Sequence, residues 1–127
     1  MIVVDTSTVI AALLGHDSAR AAIDDRRPLA PHVIDAEVVH ALRGLTLGRK
    51  LAEADASRLL GVWQRLAVDR LPMPGLLPRA WGLRDNLSAY DALFVAAAES
   101  HGVPLVTADR RLAAAPGIRC RIELIHA

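Results

Sequence analysis

The opening run Met1-Ile2-Val3-Val4 is continuously apolar. A strand with no polar alternation must be covered on both faces, as a central strand of a parallel sheet is. The rest of the chain supplies the cover. Thr6 to Leu14 reads as a helix ending at Gly15, and Ser18 to Asp25 as a short second one. Longer helical runs follow over Val33 to Leu47 and Ala52 to Ala67; in the latter Ala52, Ala56, Leu59, Leu60, Trp63, Leu66 and Ala67 form a stripe at helical spacing. Leu76 to Asn86 is expected to be a short helix. Ser88 to His101 is a buried one, with Ser88 as its cap and Gly102 and Pro104 as its stop. Between them lie a brief edge strand at Pro28 to Pro31 and further strands at Val68 to Leu71, Leu105 to Thr107 and Cys120 to Ile125. Strands alternating with helices predict an α/β fold: a three-layer sandwich with a mostly parallel central sheet flanked by helices.

At 127 residues the chain is expected to form a single domain over residues 1–127. It is 53% hydrophobic but only 3% aromatic, so its core must be built from Ala, Leu, Val and Ile. The longest unbroken apolar run, Ala92 to Ala98, is far short of a membrane span, and Asp5 interrupts the place where a signal peptide needs apolar residues. The single cysteine, Cys120, has no partner for an internal disulfide. These features predict a cytoplasmic protein without a membrane partner.

Ligands of such sheets bind outside the carboxyl ends of the strands, and acidic residues recur where the predicted elements reach that edge. Asp5 ends the first strand, Asp109 follows Leu105 to Thr107, Asp91 sits in the first turn of the buried helix, and Glu37 lies in the helix from Val33. Clustered carboxylates repel one another, and a fold tolerates them mainly around a hard cation such as Mg²⁺. Each has a plainer role as well. Asp5 could cap the next helix, although Thr6, Ser7 and Thr8 are alternative caps. Ser88-Ala89-Tyr90-Asp91 has capping-box spacing, and Asp109 could cap Arg110 to Ala115. Asp35 and Glu37 point about 200° apart on one helix. Glu37 borders the apolar stripe of Ile34, Val38, Ala41 and Leu45, whereas Asp35 suits the dipole at the helix start.

The net charge of +1 hides an asymmetry. Without those four acids, fifteen basic residues face ten acidic ones, a surface of about +5, and fourteen of the fifteen are arginines. An acidic pocket in a basic surround suits a polyanion held beside a metal. A small phosphate ester is disfavoured by the same excess. No dinucleotide or Walker phosphate motif is present, the five histidines lack metal spacing, and His32 and His40 flank the helix of Glu37. The scarcity of Phe and Tyr argues against a base-stacking RNA platform.

Several segments together resemble one family: Ile2-Val3-Val4-Asp5-Thr6-Ser7, Asp35-Ala36-Glu37-Val38, Asn86-Leu87-Ser88-Ala89-Tyr90-Asp91-Ala92-Leu93-Phe94-Val95, Ala98-Glu99 and Thr107-Ala108-Asp109-Arg110-Arg111-Leu112. In this order and spacing the chain resembles PIN-domain ribonucleases of the VapC toxin type, from bacterial VapBC toxin–antitoxin pairs, over essentially its whole length. The resemblance implies a PIN-like fold and a metal-dependent endoribonuclease toxin acting on tRNA or ribosomal RNA. It implies Asp5, Glu37, Asp91 and Asp109 as catalytic acids that bind Mg²⁺ or Mn²⁺, supported by Ser7, Asn86 and Thr107. It further implies a homodimer and a cognate VapB-type antitoxin as inhibitor, with a basic side chain reaching the acids; the apolar helix faces are expected to offer that antitoxin a groove involving Leu59, Trp63 or Trp81. Water attack would leave a 5′-phosphate and a 3′-hydroxyl. The alternative is a PIN-like module that binds protein or RNA without catalysis, against which the four intact acids count.

Overall fold

The computed structural model describes residues 1–24 and 26–126. Its elements, in chain order, are β1 (Ile2–Val4), α1 (Thr6–Leu13), α2 (Asp17–Ile23), β2 (Pro28–Pro31), α3 (Val33–Leu47), α4 (Glu53–Arg65), β3 (Asp69–Leu71), α5 (Leu77–Gly82), α6 (Ala89–His101), β4 (Leu105–Thr107), α7 (Arg110–Ala114) and β5 (Ile122–Leu124). Asp25, the expected last residue of α2, lies outside the described residues. The Leu76–Asn86 segment divides: a 3₁₀ turn over Pro74–Leu76 leads into α5, which stops at Gly82, and the chain then turns through Arg84 to Asn86. No helix among the described residues is long and apolar enough to cross a membrane.

All five strands are parallel, in the order β3-β2-β1-β4-β5. β1 lies at the centre with its three residues fully buried, as its unbroken apolar run requires. β2 is not the edge strand its prolines suggest, because it pairs with both β1 and β3. Its prolines occupy the first and last positions of a four-residue strand, where the missing N–H groups interrupt the ladder least. The true edges are β3 and β5, which are only partly buried.

The connections β1–β2 and β2–β3 step one way across the sheet, and β3–β4 jumps back past β1. Right-handed crossovers therefore put α1 to α4 on one face and α5 and α6 on the other. The packing agrees: α1 meets α2, α3 and α4, while α5 packs on α6 and α6 lies across β1 and β2. Residues Ala92 to Ala98 of α6 are all buried, so this helix fills the second layer with small and branched side chains. Gly102 ends it at φ +62°, a left-handed conformation that glycine adopts without Cβ strain, and the Val103 N–H returns to the Ala98 carbonyl. The reversal of direction falls between β1 and β4. In an open parallel sheet that is the switch point, where the diverging connections leave a crevice at the carboxyl edge.

Candidate active site

Four elements deliver one acid each to that crevice. Asp5 leaves β1 and caps α1, its Oδ1 accepting the Thr8 N–H at 3.0 Å. The neighbouring hydroxyl residues do not displace it from the cap, as the sequence had left open. Asp109 leaves β4 and caps α7, its Oδ1 accepting the N–H groups of Arg111 at 2.9 Å and Leu112 at 3.4 Å. Asp91 lies in the first turn of α6, where its N–H donates to the Ser88 hydroxyl. The reciprocal bond of a capping box, from the Ser88 N–H to the Asp91 carboxylate, is not formed among the described residues. Glu37 projects from the second turn of α3, and its Oε1 accepts from the Thr6 hydroxyl at 2.5 Å. Asp5, Glu37, Asp91 and Asp109 line one pocket of about 230 Å³ together with Thr6, Ser7 and His40.

Hydroxyl groups fix the centre of this arrangement. Asp5 is only 5% exposed. Its Oδ1 accepts from Ser7 Oγ at 2.6 Å and its Oδ2 from Thr107 Oγ1, while the Thr8 hydroxyl, 3.1 Å from Oδ1, shares its one proton with the Val106 carbonyl at 2.9 Å. A hydroxyl has one proton to give, so Ser7 and Thr107 face the next loop as acceptors. Ser7 Oγ accepts the Ala108 N–H at 2.9 Å, and Thr107 Oγ1 accepts the Asp109 N–H at 3.0 Å. The 3.3 Å approach of these two hydroxyls adds no independent bond, because both protons are directed to Asp5. Ser7 and Thr107 thus tie the ends of β1 and β4 together and hold Asp109 in register with Asp5.

The electrostatics record crowding. Burial raises the Asp5 carboxyl above the ordinary carboxylate range, against the opposing hydrogen bonds of Ser7, Thr107 and Thr8. Burial also raises Glu37; Thr6 opposes it, while the charges of Asp91 and Asp5 push the same way. Asp91 is raised by burial and then by Asp109 and Asp5, with Ser88 and Arg111 opposing. Some of the cost is offset by helix dipoles for Asp5, Asp91 and Asp109, which sit at the positive ends of α1, α6 and α7.

An oxygen-only donor set of this charge fits a hard divalent cation of the Mg²⁺ or Mn²⁺ kind. Among the described residues, no three His, Cys, Asp or Glu side chains have closed into a metal cage, although four acids line the pocket. Mg²⁺ keeps several waters, so it suits one or two direct carboxylates with water linking it to the rest.

Other residues are placed elsewhere. Asp35 points away from the pocket, as its helix phase predicts. It accepts Trp63 Nε1–H at 2.9 Å and both Arg70 Nη2 at 2.8 Å and Nε at 3.1 Å, with the Arg70 guanidinium 4.5 Å from the Trp63 ring centre. The Arg70 bonds are the main reason its carboxyl is held below the ordinary range. His40 lines the acidic pocket, but His32 does not. Asn86 is exposed in the turn ahead of α6 with its amide nitrogen beside Gly117, outside the lining of the acidic pocket. Glu99 lies in the last turn and a half of α6, paired with Arg79 at 2.6 Å and bound by the Arg119 N–H at 2.7 Å. Burial lifts the Cys120 thiol to about 11. The apolar trio does not form one groove either. Trp63 is in the core, Leu59 lines a cleft of about 260 Å³ between α1, α2 and α4, and Trp81 is exposed on α5, a helix of the other layer. Thr6 is the pocket residue that sequence reasoning missed as a partner of Glu37; its position directly after Asp5 was the available signal.

The fold and site together define a parallel α/β domain with a carboxylate-lined crevice at its switch point. The PIN domain model matches residues 2–118. Ribonuclease VapC9 of Mycobacterium tuberculosis is 46% identical over 125 residues, 98% of each chain. The crystal structure of PAE2754 from Pyrobaculum aerophilum is 30% identical with a TM-score of 0.67, covering 89% of this chain and 84% of that one. VapBC-5 from M. tuberculosis, a member of the VapBC family of toxin–antitoxin systems, shares the fold at 24% identity, with a TM-score of 0.63 and coverage of 98% and 97%. The chain therefore belongs to the PIN-domain family, in its VapC group.

Proposed function

We propose that this protein is a metal-dependent endoribonuclease toxin that hydrolyses phosphodiester bonds in tRNA or ribosomal RNA and is silenced by a VapB-type antitoxin. The observation that carries the reading is the convergence of Asp5, Glu37, Asp91 and Asp109 from four separate elements on one small pocket. The ribonuclease name of a relative 46% identical over 98% of its length supports the RNA substrate. Burial, with mutual charge at Glu37 and Asp91, holds the carboxyls of Asp5, Glu37 and Asp91 above their ordinary range, a pattern that clusters at functional sites.

The four acids would hold Mg²⁺ or Mn²⁺. When bound, such an ion acidifies water and stabilises charge on a phosphate and its leaving oxygen. Ser7 and Thr107 keep Asp5 and Asp109 at a fixed separation for that task. Glu37 Oε1 accepts from the Thr6 hydroxyl, which would leave Oε2 to face the ion. Arg111, whose charge already reaches Asp91, supplies a cation beside the pocket for the phosphate backbone. With no paired histidines to activate a 2′-hydroxyl, the products carry 5′-phosphate and 3′-hydroxyl ends. Asn86, which does not line the pocket, is assigned no step here.

Inhibition in this reading comes from an antitoxin helix in the Leu59 cleft, with a basic side chain reaching the acids. The active protein is a cytoplasmic homodimer. The test is cleavage of total tRNA and ribosomal RNA by antitoxin-free protein, with Mg²⁺ or Mn²⁺ and with chelator, followed by end-group analysis. Divalent-dependent cutting that disappears in Asp5→Asn and in Asp91→Asn, both still folded, is the expected result. Cutting that survives either substitution, or no cutting with any divalent ion, overturns the proposal.

A further inference from the structure

A second cavity, of about 490 Å³, adjoins the acidic pocket and is lined by Val33, Ala36, Glu37, His40 and Tyr90. It shares Glu37 and His40 with that pocket, so anything seated in it lies next to the acids. Its remaining lining is apolar carbon and one aromatic ring. The chain has only four aromatic residues. Trp63 is spent in the core, Phe94 is buried behind the acidic pocket with no face open to a ligand, and Trp81 lies under Arg84 on α5, away from both cavities. Tyr90 is the remaining one. It is 57% exposed, immediately precedes Asp91, and its hydroxyl has no hydrogen-bond partner among the described residues.

We propose that this cavity seats an unstacked nucleobase next to the scissile phosphate, with the Tyr90 ring against the base face and the His40 imidazole at its polar edge. The inference rests on the ribonuclease reading and adds its specificity element. Several features select this occupant. A flat π-face beside small aliphatic walls matches a base, for which aromatic stacking is the sequence-tolerant mode of capture. The size is that of a small-ligand site rather than a protein interface. Continuity with the carboxylate pocket places the next phosphate where the acids are. A single imidazole reads little of a base edge, so the seat should require a base while discriminating weakly among the four. It also gives the enzyme a demand for single-stranded or flipped nucleotides, because a base in a helix cannot enter a cavity.

The experiment uses short single-stranded RNAs carrying 2-aminopurine at successive positions, mixed with the protein in chelator so that nothing is cut. Fluorescence quenching at one position is expected with wild type and Tyr90→Phe. Tyr90→Ala and Tyr90→Leu should lose the quenching and raise Kd about tenfold. Trp81→Ala should behave as wild type. Under cleavage conditions Tyr90→Ala should raise KM with a smaller change in kcat, and Tyr90→Phe should restore it. Should the alanine variant fail to fold, an abasic site at the quenched position, tested on wild type, gives the same answer by a comparable loss of affinity. Unchanged affinity for the abasic RNA, or for folded Tyr90→Ala, overturns the proposal. So does a Tyr90→Ala chain that loses dimerisation but binds RNA normally, which would assign the cavity to a second copy. A wild type that quenches through Tyr90 yet cuts no RNA sinks the nuclease reading instead, and the two failures are distinct.

Discussion

Replacing Asp109 with asparagine separates charge from capping at the acidic site. Asp109 is the largest charge effect on Asp91 after burial. Its Oδ1 also caps α7 through Arg111 and Leu112. Asparagine caps a helix about as well as aspartate, so Asp109→Asn keeps the cap and deletes the charge. Two carboxylates ~6 Å apart at an effective dielectric of ~20 repel by about 3 kcal/mol. The Asp109 side chain is 30% exposed, and solvent screening reduces the net effect to about 1 kcal/mol. In a chain of 127 residues that corresponds to about 3–5 °C in Tm. In chelator Asp109→Asn should therefore melt higher than wild type. Asp109→Ala gains the same relief but loses a cap worth ~1 kcal/mol, so it should melt close to wild type. Millimolar Mn²⁺ should reverse the ranking, since an ion at a hundred times its Kd adds about 2.7 kcal/mol to a protein with an intact site. Thermal melts of the three proteins with and without Mn²⁺ decide the matter. An asparagine variant that melts below wild type in chelator and keeps the whole Mn²⁺ shift would refute the reasoning and leave Asp109 a helix cap alone.

Glu37→Gln should abolish RNA cleavage, whereas Asp35→Asn should cut normally and melt only slightly lower, because its amide oxygen can still accept from Trp63 and Arg70 while the charge and the second acceptor are lost; swapped phenotypes would mean the two faces of α3 are misassigned. Thr107→Val should cost about 1–3 kcal/mol in urea unfolding, since it removes a donor to buried Asp5 and the acceptor of the Asp109 N–H, and it should lower cleavage as well; a variant as stable as wild type would contradict the tie. Asp5, Glu37 and Asp91 titrate above their unfolded values, so the folded state holds more protons and metal-free stability falls as pH rises through that window. Asp35, Glu99 and Glu123 titrate below theirs, and their contribution is lost as pH falls below ~4. Urea melts in chelator should therefore peak in mild acid; a steady rise from pH 5 to 8 would be incompatible with the acid cluster.

How far the sequence was legible depended on whether a signal was local. The unbroken run Ile2 to Val4 located the central strand, and the Ser88 cap with the Gly102 stop located α6 to within a residue. The ordering of strands was not local. Pro28 and Pro31 argued for an edge, and only the pairing of Asp69 to Leu71 outside β2 makes it interior. Helical phase separated Glu37 from Asp35 correctly, since both lie on one regular helix. Phase within one helix could not reveal that Trp63 turns inward to Asp35 rather than facing a partner. Asn86 was expected among the site residues on resemblance alone. The early end of α5 at Gly82 leaves it in an exposed turn beside Gly117.

The capping and ligand readings of the acids, which stood as alternatives in the sequence, turn out to be compatible because a carboxylate has two oxygens. Asp109 gives Oδ1 to the start of α7 and keeps Oδ2 without a partner among the described residues. Asp5 gives Oδ1 to α1, and its Oδ2 has one donor, Thr107, leaving lone-pair capacity on that oxygen. Capping holds each side chain in one rotamer and sets its charge against a helix dipole. Both effects ease the gathering of like charges where burial raises their proton affinity. The strands that flank the switch point end in these two caps, so the same turns that begin α1 and α7 also build the floor of the pocket. At Asp5 and Asp109, a substitution that spares the cap and removes the charge therefore acts on the site while leaving the fold in place.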